Sequence, residues 1–169
     1  MRGVDFEVTA VHASETFELR RAVLRPFEDA TSIALEDDDR PGTGTFAALS
    51  SSGAVVGAAR VAPAPPPFST AALTIDDGGV RRSASWRLRG MATREDARNL
   101  GVGTAVLARV VQHVADHGGG LLWCNARVPA VAFYRRAGFV EHGDTWDEPR
   151  IGPHVVMWRI VWGDGAAAY

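Results

Sequence analysis

Residues 98–104 read Arg98-Asn99-Leu100-Gly101-Val102-Gly103-Thr104. They follow an apolar-rich run, Trp86–Ala92, and open a long apolar-periodic one, Val102–Val114. The order is strand, glycine turn, helix. Glycine has no Cβ, so backbone N–H groups at such a turn can approach an anion closely. The helix N-terminus behind them supplies roughly half a positive charge. A phosphate-bearing ligand is the natural occupant. The Gly-Lys-[Ser/Thr] of a P-loop is missing, and position 106 is Val where a dinucleotide fingerprint needs Gly.

Working outward, Val102, Val106, Val110 and Val114 fall on one helical stripe, widened by Leu107 and Val111. Gly118-Gly119-Gly120 stops that helix. Leu121–Ala126 follows as a short strand, apolar up to Asn125. Pro129 stands at a helix start, and that helix ends at Gly138. Phe139–Trp146 and His154–Trp162 read as two final strands around a Pro/Gly turn. Upstream, Val4–Val11 alternates as a strand. Ser14 can cap a helix running to about Phe27, with Leu19, Val23 and Phe27 at i, i+4, i+8. Thr45–Ser50 and Ala54–Val61 flank Ser51-Ser52-Gly53 as a hairpin. Residues 63–84, with four prolines in their first five positions, read as a long loop: a lid, a subunit contact or a plain surface insertion.

A chain of 169 residues is expected to make one domain over 1–162, with a frayed tail at 163–169. No apolar run reaches membrane-spanning length, and the opening Met-Arg-Gly-Val-Asp-Phe-Glu does not read as a signal peptide. The one cysteine, Cys124, cannot form an internal disulfide, so a cytoplasmic protein is expected. A net charge of −2 gives no reason to expect nucleic acid. All 18 basic residues are arginine, so phosphate recognition must use backbone N–H groups or Arg.

The segment Arg98-x-x-Gly101-x-Gly103 resembles the [Arg/Gln]-x-x-Gly-x-[Gly/Ala] pyrophosphate loop of the GNAT superfamily of acyl-CoA-dependent N-acyltransferases. Downstream, Asn125-Ala126-Arg127, Ala130 and Phe133-Tyr134-Arg135-Arg136-Ala137-Gly138-Phe139 resemble that superfamily's Asn…Ala…Tyr-x-x-x-Gly-Phe segment, at the matching distance. Gly152-Pro153-His154-Val155-Val156-Met157 is similar to a turn and last strand of some single-domain bacterial members. The resemblance implies an α+β fold: a mixed, mostly antiparallel sheet of six or seven strands with about four flanking helices. Its central parallel strands, Trp86–Ala92 and Leu121–Ala126, would splay apart. It implies acetyl-CoA as co-substrate, with no metal. The pantetheine would pair with backbone at Met91, Ala92 and Thr93, and the pyrophosphate with N–H groups of Arg98, Asn99, Leu100, Gly101, Val102, Gly103 and Thr104. Asn125, Phe133 and Arg136 are further cofactor contacts on this reading. For Asn125, a polar strand end bonded to local backbone is an equal alternative.

Acyl transfer from a thioester to an amine needs a neutral amine, aligned reactants, a stabilised oxyanion and a protonated leaving thiolate. By resemblance, Tyr134 is the acid for the sulfur, since phenol with a reference pKa of about 10 is protonated at neutral pH. Taken without the motif, Tyr134 reads as a packed core aromatic. The oxyanion donor would be the backbone N–H near Ala92, a contribution of roughly 3 kcal/mol. Many relatives place a glutamate on the central strand, but Trp86–Ala92 carries no acid. Asp37, Asp38, Asp39, Glu148 and His154 are substitutes for the base, with Asp39 and His154 the substrate-side candidates. His154 has the most suitable unperturbed pKa. His113-Val114-Ala115-Asp116-His117 approximates a metal-binding helix but is read as imidazoles near a helix C-terminus. The expectation is an N-acetyltransferase acting on a primary amine of a small molecule. The alternative is an acyl-CoA-binding sensor or assembly module without chemistry. Neither needs nucleic acid or membrane, and a homodimer stays open.

Overall fold

A computed structural model describes residues 5–29, 39–70 and 84–163. Seven strands form one sheet in the order β1-β2-β3-β4-β5-β7-β6. These are β1 (Phe6–Ala10), β2 (Gly44–Ser50), β3 (Val55–Pro63), β4 (Ser85–Thr93), β5 (Gly119–Arg127), β6 (Val140–Glu148) and β7 (Gly152–Trp162). Three α-helices lie among the described residues: α1 (Phe17–Leu24), α2 (Val102–Asp116) and α3 (Val131–Arg136). The sheet is mostly antiparallel, with β4 and β5 parallel. That parallel register covers Ser85↔Leu121, Trp86↔Leu122 and Arg87↔Trp123, while β4 runs on to Thr93 and β5 to Arg127.

The chain divides into two compact units, Met1–Ala62 with Leu88–Val110, and Pro63–Arg87 with Val111–Tyr169. In the first, β3 carries Gly57-Ala58-Ala59, small residues that leave room for a helix. Val102, Val106 and Val110 of α2 are fully buried there, as the valine stripe predicts. A Cβ on Gly57 would stand 2.5 Å from Val102 Cγ1 and 3.3 Å from Val106 Cγ2. The absent side chain is therefore what seats the first turns of α2 on β3.

In the second unit, β5 pairs with β7 along its whole length, from Gly119↔Trp162 to Arg127↔His154. Successive residues of β5 face opposite sides of the sheet. Leu121 and Trp123 join Val156, Trp146, Trp158 and Ile160 on one face, together with Ala64 and Phe68 of the proline-rich segment. Trp123 donates its indole N–H to the Ala64 carbonyl at 3.1 Å. Residues 64–70 thus cover sheet, and the remainder of the expected loop, 71–83, lies outside the described residues.

Several local expectations shift. The first helix does not start at Ser14: a 3-10 turn, Ala13–Thr16, precedes it. The cap is His12, whose ring accepts from the Ser14 N–H while Glu15 takes the His12 N–H at 2.8 Å. The helix stops at Leu24 because Arg25 leaves helical geometry, short of Phe27. Pro129 sits in a 3-10 turn, Val128–Ala130, ahead of α3. Gly119 and Gly120 already belong to β5. A Cβ at either would stand 2.4 Å from a carbonyl oxygen, of Val161 or of Ala84 respectively. The triple glycine therefore does more than end α2. It lets three stretches of backbone meet.

Candidate active site

In the first unit the glycine turn is built as its sequence suggests. Ala97 is buried and anchors the approach, while Arg98, Asn99, Leu100 and Gly101 are exposed. Asn99 (φ 61°) and Gly101 (φ 84°) are both left-handed, a conformation that Asn and Gly tolerate best. The Gly101 carbonyl accepts the Ala105 N–H at 3.0 Å, the first bond of α2. The N–H groups of the first helical turn have no intrahelical acceptor by construction, whereas the Arg98 N–H, expected among the donors, is taken by the Glu95 carbonyl at 3.3 Å. No acidic residue stands in that turn to compete for them. A Cβ at Gly101 would meet nothing within 4 Å, so the turn has open space on its outer side. Helix-start donors with no acid in their own turn and open space beside Gly101 suit a diphosphate.

Met91, Ala92 and Thr93 close β4 in the same unit. Ala92 is buried beside Leu19 and Ala58, and the following Arg94 N–H bonds to the Val56 carbonyl at 2.9 Å. Gly90, just before them, has φ 62° inside β4, a left-handed break in the extended backbone. Arg20 of α1, 3% exposed, packs where its side chain would be: a Cβ on Gly90 would lie 2.8 Å from Arg20 Nε. Such a break re-aims the backbone groups that follow it, and a glycine within a strand pattern is the sequence signal for one. Asp39 also lies in this unit, on the surface, with Oδ1 3.7 Å from His12 Nε2 and its side chain 86% exposed. Asp37 and Asp38 lie outside the described residues.

The second unit holds Asn125, Phe133, Tyr134, Arg136 and His154. Tyr134 is buried on α3, with Phe139 at 5.3 Å and Phe133 at 5.1 Å between ring centroids. Its hydroxyl shares a hydrogen bond with the thiol of Cys124 on β5. Burial holds the phenol well above its ordinary pKa, and the neighbouring thiol adds to the effect. Burial pushes the Cys124 thiol up to about 12, against smaller opposing effects of the Tyr134 hydrogen bond and Arg87. Both groups are neutral, and Cys124 is a core residue. The end of α3 is fixed by the Phe139 N–H to the Tyr134 carbonyl at 3.0 Å, with left-handed Gly138 between them. Arg136 is exposed in the last turn, whereas Arg135 is engaged with Glu141 at 2.6 Å.

Cys124 and Asn125 are consecutive, so they face opposite sides of the sheet. Tyr134 stands on the Cys124 side. On the other side, Asn125 is the one exposed residue of β5. His154, 8% exposed, belongs to that second face and stacks on Trp146 at 5.7 Å and 28°. The expected imidazole pair at the end of α2 is also present: the His117 ring bonds the His113 carbonyl at 2.7 Å, and Trp86 sets its edge against both rings.

The acetyltransferase (GNAT) family model matches residues 10–139, spanning the glycine turn and Tyr134. The chain belongs to the GNAT family. A relative in Bacillus subtilis (strain 168), the uncharacterized N-acetyltransferase YitI, is 29% identical over 158 residues, covering 92% of this chain and 96% of its own. Among solved structures, an aminoglycoside 6'-N-acetyltransferase complexed with coenzyme A superposes with a TM-score of 0.67 at 13% identity, covering 94% of this chain and 98% of that one. The ribosomal-protein-alanine N-acetyltransferase of Brucella melitensis superposes at 0.64 with 19% identity, covering 91% and 99%. The mixed, mostly antiparallel GNAT fold is thus the fold of this chain.

Proposed function

We propose that this GNAT protein transfers an acetyl group from acetyl-CoA to a primary amine of a small molecule, by direct attack with both substrates bound. One observation carries the reading: the turn at 98–104 offers helix-start N–H donors, open space at Gly101 and no competing acid. On this reading Arg98, Asn99, Leu100, Gly101, Val102, Gly103 and Thr104 hold the diphosphate, with Arg136 on a phosphate. Met91, Ala92 and Thr93 pair with the pantetheine, helped by Asn125 and Phe133. Bound acetyl-CoA supplies an activated acyl group and a thiolate leaving group.

Tyr134 is the acid for that sulfur. Burial favours its neutral form, so it keeps its proton until a strong base needs it. The backbone N–H near Ala92, after left-handed Gly90, donates to the carbonyl oxygen. A cytoplasmic setting is part of the proposal. Among the described residues no helix is long and apolar enough to cross a membrane.

Purified protein given acetyl-CoA and a panel of amines should release free thiol, and acetyl-CoA should raise Tm, since a ligand of the folded state stabilises it. Tyr134→Phe should slow turnover by roughly 10²-fold. Turnover unchanged in that variant removes Tyr134 as the acid. A thermal shift without thiol release from any amine supports the non-catalytic sensor instead.

A further inference from the structure

We infer that His154 is the base that removes a proton from the acceptor's ammonium group, an inference that rests on the acetyltransferase reading above. No acid stands on β4 to do this. His154 Nδ1 lies 2.8 Å from the Gly152 carbonyl oxygen. A carbonyl can only accept, so Nδ1 carries the hydrogen and the neutral ring's lone pair is at Nε2. The ring is held from two sides. Gly152, at φ 101°, and Arg150, at φ 64°, shape the β6–β7 turn that aims the carbonyl, and Trp146 stacks on the ring face. A buried imidazole with a fixed tautomer is a preset proton acceptor.

Its place on the sheet fits the role. The acid, Tyr134, sits on the Cys124 face of β5, and His154 on the Asn125 face. Opposite His154 on β5 is Arg127, and Asn125 pairs with the next same-face residue, Val156. An amine arriving on the Asn125 face meets the base on its own side, while the sulfur's donor waits on the other. The charged groups around His154 are Arg127 on β5, Asp147 and Glu148 on β6 beside Pro153 and Gly152, and Arg150 in the turn. The 3-10 turn Val128–Ala130, which also packs against β7, carries none.

In the step, one N–H bond of the ammonium breaks and its electron pair stays on nitrogen. The proton forms a bond to Nε2, giving imidazolium and a neutral amine. Over a full turnover the C–N bond forms and the C–S bond breaks; nitrogen loses two protons, one leaving to solvent through His154 and the second offsetting the proton that Tyr134 gives to sulfur and regains from solvent.

His154→Asn keeps a donor for the Gly152 carbonyl but has no group in place of Nε2. The expected result is a loss of roughly 10²-fold or more in kcat/KM at neutral pH. The deficit should shrink as pH approaches the acceptor's own pKa, and acetyl-CoA should give the same thermal shift. His154→Ala should regain activity with added imidazole. Independently of turnover, nitrogen NMR of the His154 ring should show that its neutral form carries the hydrogen on Nδ1 and leaves Nε2 bare. The inference is overturned by a wild-type pH profile in His154→Asn, by an equal loss at every pH without imidazole rescue, or by a neutral ring with its hydrogen on Nε2. If acetyl-CoA gives no shift and no amine releases thiol, the acetyltransferase reading itself fails. Thiol release with an unaltered profile rejects only the role of His154.

Discussion

Replacing Gly57 with alanine should damage stability and acetyl-CoA binding together. The new methyl would lie 2.5 Å from Val102 Cγ1, where ordinary contact begins at 3.4 Å, and 3.3 Å from Val106 Cγ2. The first turns of α2 must therefore retreat from β3 by about 1 Å. Valine cannot swing aside, because its χ1 has one strongly preferred rotamer in a helix. Overpacking of this kind costs about 1–3 kcal/mol. For a chain of this size that is a fall in Tm of roughly 2–12 °C. Val102 is also the first residue of α2, one position after Gly101, so the same movement displaces the proposed diphosphate donors. A misplacement costing about 1.4 kcal/mol weakens acetyl-CoA tenfold. Scanning fluorimetry and calorimetric titration with acetyl-CoA measure both effects. Gly53→Ala is the control: its Cβ meets nothing within 4 Å, so it should lose only the backbone cost of φ 79° and bind acetyl-CoA normally. Wild-type Tm and affinity in Gly57→Ala would refute the claim that this glycine seats α2.

Stability should fall in alkali. The Cys124 pKa rises from 9.0 to about 12 and that of Tyr134 also rises, so above pH 9 the folded chain holds protons that the unfolded chain has lost. The stabilisation is complete below pH 9 and disappears as pH climbs toward 12, by about 4 kcal/mol at most from the thiol. Urea titrations between pH 7 and 11 should show this, with a shallower fall in Cys124→Ala, and equal slopes would place the cause elsewhere. Gly101→Ala should cost about 1–2 kcal/mol through φ 84° alone, since its Cβ meets no neighbour within 4 Å. It should also weaken acetyl-CoA, and an unchanged affinity would argue against the turn as the diphosphate site.

Patterns of short range were legible in the sequence. The valine stripe gave α2 its buried face, and Ser51-Ser52-Gly53 joined β2 to β3 at left-handed Gly53. The glycine turn could be read because Gly101 must be left-handed just ahead of a helix. The cap of the first turn was not legible, because histidine seldom takes the N-cap and Ser14 looked the better candidate. Gly90 marks a break in β4 by its residue type, but its packing partner Arg20, seventy positions away, could not be read from sequence. For His154 the sequence could offer a ring able to take a proton but not a tautomer. That follows only from the Gly152 carbonyl beside Nδ1.

Cys124 is 2% exposed and is the only sulfhydryl the chain possesses. A disulfide dye that detects sulfhydryls is therefore nearly blind to the native protein, so coenzyme set free in a reaction is counted with little background. Denaturation uncovers one equivalent per molecule. The same dye, applied to an ageing sample, reports what fraction has lost its structure. The molecule carries its own gauge of integrity at the strand that lies against the phenol.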